Sequence, residues 1–196
     1  MSTARYFLDM NSLEKQKRRN APKTKAKILA AAQQAFADLG YSQAGIRDIA
    51  AIAGVSSTLL LRYYGSKAGL FEAALIEAMR TDALFEKGRD KFGEHVTGLL
   101  LDPNLDIKPP AIISLSTGDA DAREITTRVT DQHAVAPLAK WLGPPDSRAR
   151  AMEIVILCTG FVIYTRQLPL MPAPKGVDNK LAKWLAQTLQ AIVDQS

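Results

Sequence analysis

Apolar residues recur at helical spacing through most of the chain, and no segment reads as the two-residue alternation of a strand. Over residues 24–39 they fall at Ile28, Leu29, Ala32, Phe36 and Leu39, and Gly40 follows where that helix would stop. A short helix is expected at 46–53, with Ile46, Ile49, Ala50 and Ala53 on one face, and another at 57–64. Gly65 breaks the run, and Ser66 is placed to cap a long helix at 67–86 with a stripe of Leu70, Phe71, Ala74, Leu75, Ala78 and Met79. Further helices are expected at 89–101, 111–117, 119–142 with a kink at Pro137, 147–168 and 178–193. The pattern predicts an all-α chain of about nine helices, a three-helix N-terminal unit followed by a larger helical body. The expected division is a basic, largely disordered arm at 1–22, a compact unit at 23–68 and the body at 69–196.

The most informative stretch is IRDIAAIAGVSSTLLLRYYGSK, residues 46–67. Two short helices joined by a tight, glycine-bearing turn are the helix-turn-helix arrangement. Ala50 is small where the helices would cross, and Gly54 stands where the turn needs a left-handed residue. Ile49, Ala53, Val55, Leu60 and Tyr63 would form the shared core, with Ser56 capping the second helix. That helix would present Ser57, Thr58, Leu61 and Arg62 outward: hydroxyls for a base edge or phosphate, an apolar side chain for a thymine methyl, and a guanidinium for guanine or a phosphate. Lys67, in the first turn of the next helix, is poorly placed for the helix dipole, a conflict that an approaching phosphate would relieve. One of the adjacent hydroxyls of Tyr63 and Tyr64 is expected to meet the DNA backbone.

Charge sharpens this picture. The net charge of +5 on 196 residues divides unevenly: residues 1–80 carry 12 basic and 6 acidic side chains, residues 81–196 carry 13 and 14. The N-terminal part is therefore at +6 and the body at −1. A basic arm reads equally as a solvated tail or as a segment, 17–27, that tracks phosphates beside the helix-turn-helix. A 47% hydrophobic composition is globular, and the longest apolar run, 154–164, is too short to span a bilayer. The N-terminus lacks the apolar core of a secretory signal, and the single Cys158 excludes an internal disulfide or a multi-cysteine metal site, as expected of a cytoplasmic protein.

Residues 24–79 resemble the DNA-binding domain of the TetR (tetracycline-repressor-like) family. The resemblance is carried by IL-x-AA at 28–32, Phe36, Gly40-Tyr41, IRDIA-x-x-AGVS at 46–56 and RYYGSKAGLFEAAL at 62–75. It implies a homodimeric transcriptional regulator, released from a palindromic double-stranded operator by a small effector bound in the body. The family's DNA-contacting positions correspond to Ala44, Gly45, Arg47, Ser57, Thr58, Leu61, Arg62, Tyr63 and Lys67. The chain departs from the family pattern in having Ala44-Gly45 where Thr and a hydroxyl residue are common, Leu61 where Tyr is frequent, and Ala68 in place of an acid.

An effector cavity within the body would draw on Phe92, His95, Val96, Leu99, Ile112, Ile113, Leu115, Ser116, Val129, Gln132 and His133, an apolar set with few polar groups. The last two helices carry more apolar surface than one face can use: Ile154, Val155, Leu157, Cys158, Phe161, Val162 and Thr165 on one, Leu181, Trp184, Leu185, Thr188, Leu189 and Ile192 on the other. They are the expected homodimer interface, with ordinary core as the alternative. No phosphate-binding loop, HExxH or nucleophile motif is present, so neither an enzyme, a cofactor nor a metal is expected. The competing class is a helical ligand-binding or interaction protein without a specific operator.

Overall fold

The computed structural model describes the backbone of residues 3–168, 170 and 179–195, and the side chains of 21–168, 170 and 180–195. Among the described residues ten α-helices follow one another: α1 (Thr3–Gln43), α2 (Ile46–Ala53), α3 (Ser57–Tyr64), α4 (Lys67–Ala78), α5 (Phe92–Leu101), α6 (Pro109–Ser116), α7 (Ala120–Thr130), α8 (Ala136–Leu142), α9 (Ser147–Val162) and α10 (Asn179–Val193). Among the described residues there is no strand, and no helix is long and apolar enough to cross a membrane.

Three boundaries differ from the expected ones, each for a local reason. The arm expected to lack regular structure is helical from Thr3 onward and continuous with the helix expected at 24–39. Lys, Arg, Gln, Glu and Leu dominate the segment and favour helix, and Pro22 withholds one N–H without ending the run. Gly40 does interrupt the helix, at φ 72° and ψ 174°. Secondly, α4 stops at Ala78 instead of continuing to 86, and a 3₁₀ turn, Asp82–Phe85, replaces its last part. Thirdly, the helix expected at 119–142 is divided by a π turn, Asp131–Val135, so that the Ala136 N–H bonds the Asp131 carbonyl immediately before Pro137. A widened turn accommodates a ring that cannot donate. That division makes ten helical runs of the predicted nine. A second π turn, Ile163–Gln167, extends α9, and the predicted start at Asp178 lies outside the described residues.

The apolar side chains separate into two cores. In the first, Ile28, Phe36, Ile49, Leu60, Leu70 and Phe71 from α1–α4 pack with Ile112, Ala122 and Val129 from α6 and α7. Phe71 stands edge-on to both Phe36 and Tyr41, with ring centroids 4.9 and 5.1 Å apart. The second core joins α5, α8, α9 and α10 through Phe92, Val96, Leu138, Leu142, Ile154, Phe161, Leu185 and Leu189. Thus α6 and α7, although part of the expected body, are built onto the N-terminal unit.

Two arginines tie the far end of the second core together. Arg150, 2% exposed, donates to the carbonyls of Leu142 (3.1 Å), Gly143 (3.3 Å) and Gln195. Arg89 donates to Trp141 (3.0 Å), Leu142 (3.1 Å) and Val193 (3.3 Å). Both place a cation at the C-terminal carbonyls of helices, where the dipole is negative and acceptors lack partners.

Candidate nucleic-acid interface and effector cavity

The turn between α2 and α3 is determined by three neighbouring residues. Gly54 adopts a left-handed conformation (φ 68°, ψ 36°), its N–H bonds Ala51 at 3.1 Å, and the N–H of Val55 reaches Ala50 at 2.9 Å. This paired closure is the Schellman arrangement, which strongly favours glycine at that position. Ser56 then caps α3, its hydroxyl accepting from the Leu59 N–H at 3.1 Å. Ser66 caps α4 in the same way from Gly69 at 3.0 Å.

This scaffold orients α3. Leu60 is completely buried and Ala50 sits at the crossing, whereas Thr58, Leu61 (39% exposed) and Arg62 share the outer face at spacings of three and four residues. Ser57 is half-buried at its edge, and Arg47 is exposed near the start of α2. Gly45 caps α2 with no side-chain hydrogen bond, and Ala44 is fully buried, so it has only backbone to offer a ligand. Lys25 lies beside α3: its ammonium is 5.5 Å from the centroid of the half-buried Tyr63 ring, and its carbonyl accepts from the Tyr64 hydroxyl at 3.4 Å. Burial, then the neighbouring Tyr63 and Glu77, raise the Tyr64 hydroxyl above its usual range.

The expected conflict at Lys67 is met from within the chain. Its ammonium donates to the Ser42 carbonyl at 3.2 Å and stands 4.7 Å from the Tyr41 ring centroid.

The N-terminal unit is joined to the body by polar contacts that the sequence pattern did not single out. Asp119 caps α7 through Ala122 (3.0 Å) and accepts from the Ser42 hydroxyl (2.8 Å). These two bonds, foremost the one from Ala122, hold its carboxyl below the usual range. Arg128 of α7 bonds Glu72 of α4 at 2.7 Å, and that hydrogen bond lowers the Glu72 carboxyl despite partial desolvation. Lys108 bonds Gln34 of α1 at 2.7 Å. The capping by Asp119 is expected from its place before the helix, whereas the Ser42–Asp119, Arg128–Glu72 and Lys108–Gln34 pairings are tertiary and leave no mark in the sequence.

A cavity of about 370 Å³ opens between α6, α7, the first π turn and α9. Ile113, Ser116 and Thr117 form one wall, Arg123, Thr126, Thr127 and Thr130 a second, and Asp131, Val135, Arg148 and Met152 the remainder. Of the expected pocket residues, Ile113 and Ser116 reach it. The others are distributed elsewhere: Phe92 and Val96 are sealed in the second core, while Ile112 and Val129 belong to the first. His95 donates to the Ala83 carbonyl at 2.7 Å, Gln132 and Leu115 are exposed, and Leu99 and His133 are half-buried outside the cavity. The reason is the face that α5 turns inward, which is set by α10 and not by α7.

Most of the apolar residues expected at a dimer face are used internally. Ile154, Phe161, Val162, Leu185, Leu189 and Ile192 pack in the second core. What α9 leaves outward is Met152, Ile156 (61% exposed) and Tyr164, at four-residue spacing or its multiple, and α10 adds Trp184 (49% exposed).

Comparison with known proteins places this arrangement in context. Residues 28–74 match the sequence profile described as bacterial regulatory proteins, tetR family, and residues 90–193 match that of the tetracyclin repressor-like C-terminal domain. A TetR-family transcriptional regulator from Rhodococcus sp. superposes with a TM-score of 0.67 at 20% identity, over 88% of this chain and 99% of that one. A TetR-family regulator from Streptomyces coelicolor A3 is 26% identical, with a TM-score of 0.52 over 90% and 97% of the two chains. NalD, the secondary repressor of the MexAB-OprM multidrug efflux pump in Pseudomonas aeruginosa, is 18% identical, with a TM-score of 0.58 over 86% and 95%. No curated protein matches the sequence.

Proposed function

Because the chain belongs to the TetR family of bacterial transcriptional regulators, and is thus a DNA-binding regulator and not an enzyme, we propose that it is a cytoplasmic homodimeric repressor. Two copies of α3 enter successive major grooves of a near-palindromic operator. Thr58, Leu61 and Arg62 read base edges, Ser57 and Tyr63 meet the backbone, and the N–H groups at the start of α2, at Gly45 and Arg47, receive a phosphate, the Ala44 N–H being already bonded to the Gly40 carbonyl at 3.2 Å. Lys67 adds charge at the same edge once its internal bond to Ser42 is exchanged. The basic face that includes Lys25 lies next to α3 and strengthens the salt-dependent part of binding.

The cavity between α6, α7 and α9 is the site of a small, mainly hydrophobic effector that releases the operator. The observation that carries this reading is the double role of α7. One face supplies Thr126 and Thr130 to the cavity, and another holds α4 through the Arg128–Glu72 bridge. A ligand that separates α6 from α9 must move α7, and α7 cannot move without changing how α4 presents α3.

The test is selection of duplexes from a random library with the purified chain, followed by anisotropy titrations on the enriched sequence. Two-fold symmetric sites are expected. Arg62→Ala should weaken the selected site by roughly 10–100-fold while leaving random duplex nearly unaffected. Ile113→Trp, which fills the cavity, should weaken it by about tenfold with no ligand present. Absence of an enriched palindrome would refute the operator reading, and unchanged affinity in Ile113→Trp would refute the release mechanism.

A further inference from the structure

The cavity walls specify more than size. Ile113, Val135 and Met152 supply apolar surface, but the polar groups among them are unevenly satisfied. Thr117 Oγ1 donates to the Ser114 carbonyl at 2.9 Å, Ser116 Oγ to Ile112 at 2.6 Å and Thr127 Oγ1 to Arg123 at 2.8 Å. Each of these hydroxyls is occupied by its own helix. Thr126 and Thr130, one turn apart on α7, are different: both hydroxyl oxygens are buried and have no hydrogen-bond partner among the described residues. Thr126 is only 7% exposed. Buried hydroxyls are rarely left unpaired, and two in succession on one cavity wall call for a ligand group that can accept from both.

The charges at the same wall agree. Arg148 is paired with Asp131 at 2.7 Å, although the Asp131 Oδ1 it approaches is, like the two threonine hydroxyls, buried without a hydrogen bond. Arg123 has no carboxylate partner among the described residues, and its one hydrogen bond is a long one, 3.5 Å, to the Thr117 carbonyl. Glu124, which has no ion pair among the described residues, lines an outer groove together with Arg123, Arg128, Asp131 and Arg148 and is not a wall of the cavity itself. Within the cavity two cations face one anion, and the second cation is uncommitted.

We propose that the cavity takes a small organic acid, a single carboxylate on an apolar body. The carboxylate accepts from the Arg123 guanidinium and from the Thr126 and Thr130 hydroxyls, and the body lies against Ile113, Val135 and Met152. An alcohol of the same length would leave Arg123 unpaired, and an ammonium would meet like charge. This inference rests on the reading of the cavity as the effector site and narrows the effector from an apolar compound to an amphiphilic acid.

Calorimetric titration of the full chain with octanoate, octan-1-ol and octylammonium tests it. Octanoate should bind about tenfold or more tightly than octanol, the factor expected of one charge-assisted hydrogen bond. Arg123→Gln, a change at an exposed position that leaves the fold intact, should remove that preference without altering octanol binding. The double variant Thr126→Val with Thr130→Val should weaken octanoate, and Ser at both positions should restore it. Equal or stronger binding of octanol or octylammonium, persistence of the octanoate preference in Arg123→Gln, or no binding of any of the three overturns the proposal. The effector reading fails separately. Selective octanoate binding by the wild-type chain, together with unchanged operator affinity in Ile113→Trp, would keep the acid site and discard its regulatory role.

Discussion

Cys158 shows how much one side chain's surroundings decide. It lies half-buried on α9 against the second core, and desolvation pushes its thiol up to about 12. The thiolate is the reactive form, so raising the pKa by three units lowers its population roughly a thousandfold at neutral pH. In the native protein Cys158 should therefore resist iodoacetamide at pH 8 for hours and react within minutes in denaturant, as followed by mass spectrometry. Rapid native labelling would contradict the packing of α9. At this scale legibility follows locality. Ser56, Gly54 and Ser66 act on groups within a few residues of themselves, and their roles follow from spacing alone. Arg150 acts on carbonyls 7, 8 and 45 residues away, and nothing near it in sequence marks it as the buried cation that ties α8 to the end of the chain.

The same distinction governs the elements. The bounds of α2 and α3 coincide with those expected, because glycine and hydroxyl caps terminate both helices. The break in the 119–142 helix was legible from Pro137, although its form as a π turn was not, whereas the end of α4 was not legible, since an apolar period continues through it and only packing decides where it is cut. The inward face of α5 was ambiguous for a related reason. Phe92 and Val96 are as suitable for a cavity wall as for a core, and the position of α10 decides between them. Gly93 is where that decision is made: a Cβ there would lie 2.0 Å from the Ala186 carbonyl oxygen and 2.9 Å from the Gln190 nitrogen. Both are backbone atoms and cannot move aside alone. Gly93→Ala should force the helices apart and destabilise the protein by about 1–3 kcal/mol. Gly98→Ala on the same helix meets nothing within 4 Å and should be neutral or stabilising by about 0.5–1 kcal/mol. Urea denaturation of the pair provides the comparison, and equal destabilisation of both would remove Gly93 as the closest point of the α5–α10 packing.

Across the whole molecule, the outward apolar side chains of α9 and α10 suit a two-fold assembly. The excess of cations lies in residues 1–80 of the sequence, and the outward apolar side chains of α9 and α10 lie in the near-neutral remainder. Ile156, Tyr164 and Trp184 stand exposed outside both cores, whereas Met152 on the same side also lines the cavity. In the proposed dimer they pack across the two-fold axis, and their effect on DNA is indirect but large. A monomer offers one α3 to one half-site. A dimer holds the second α3 at the adjacent half-site, so its second contact is intramolecular and overall affinity rises by roughly 10²–10⁴. Ile156→Glu places a charge in the middle of that face without disturbing either core, since the side chain is 61% exposed. The variant should keep the wild-type helical circular-dichroism spectrum, sediment as a monomer at micromolar concentration and lose operator affinity by about a hundredfold or more. Its affinity for a single half-site should be unchanged. A variant that still sediments as a dimer would move the interface away from α9, and one that becomes monomeric yet keeps full operator affinity would show that the two recognition helices do not bind as a pair.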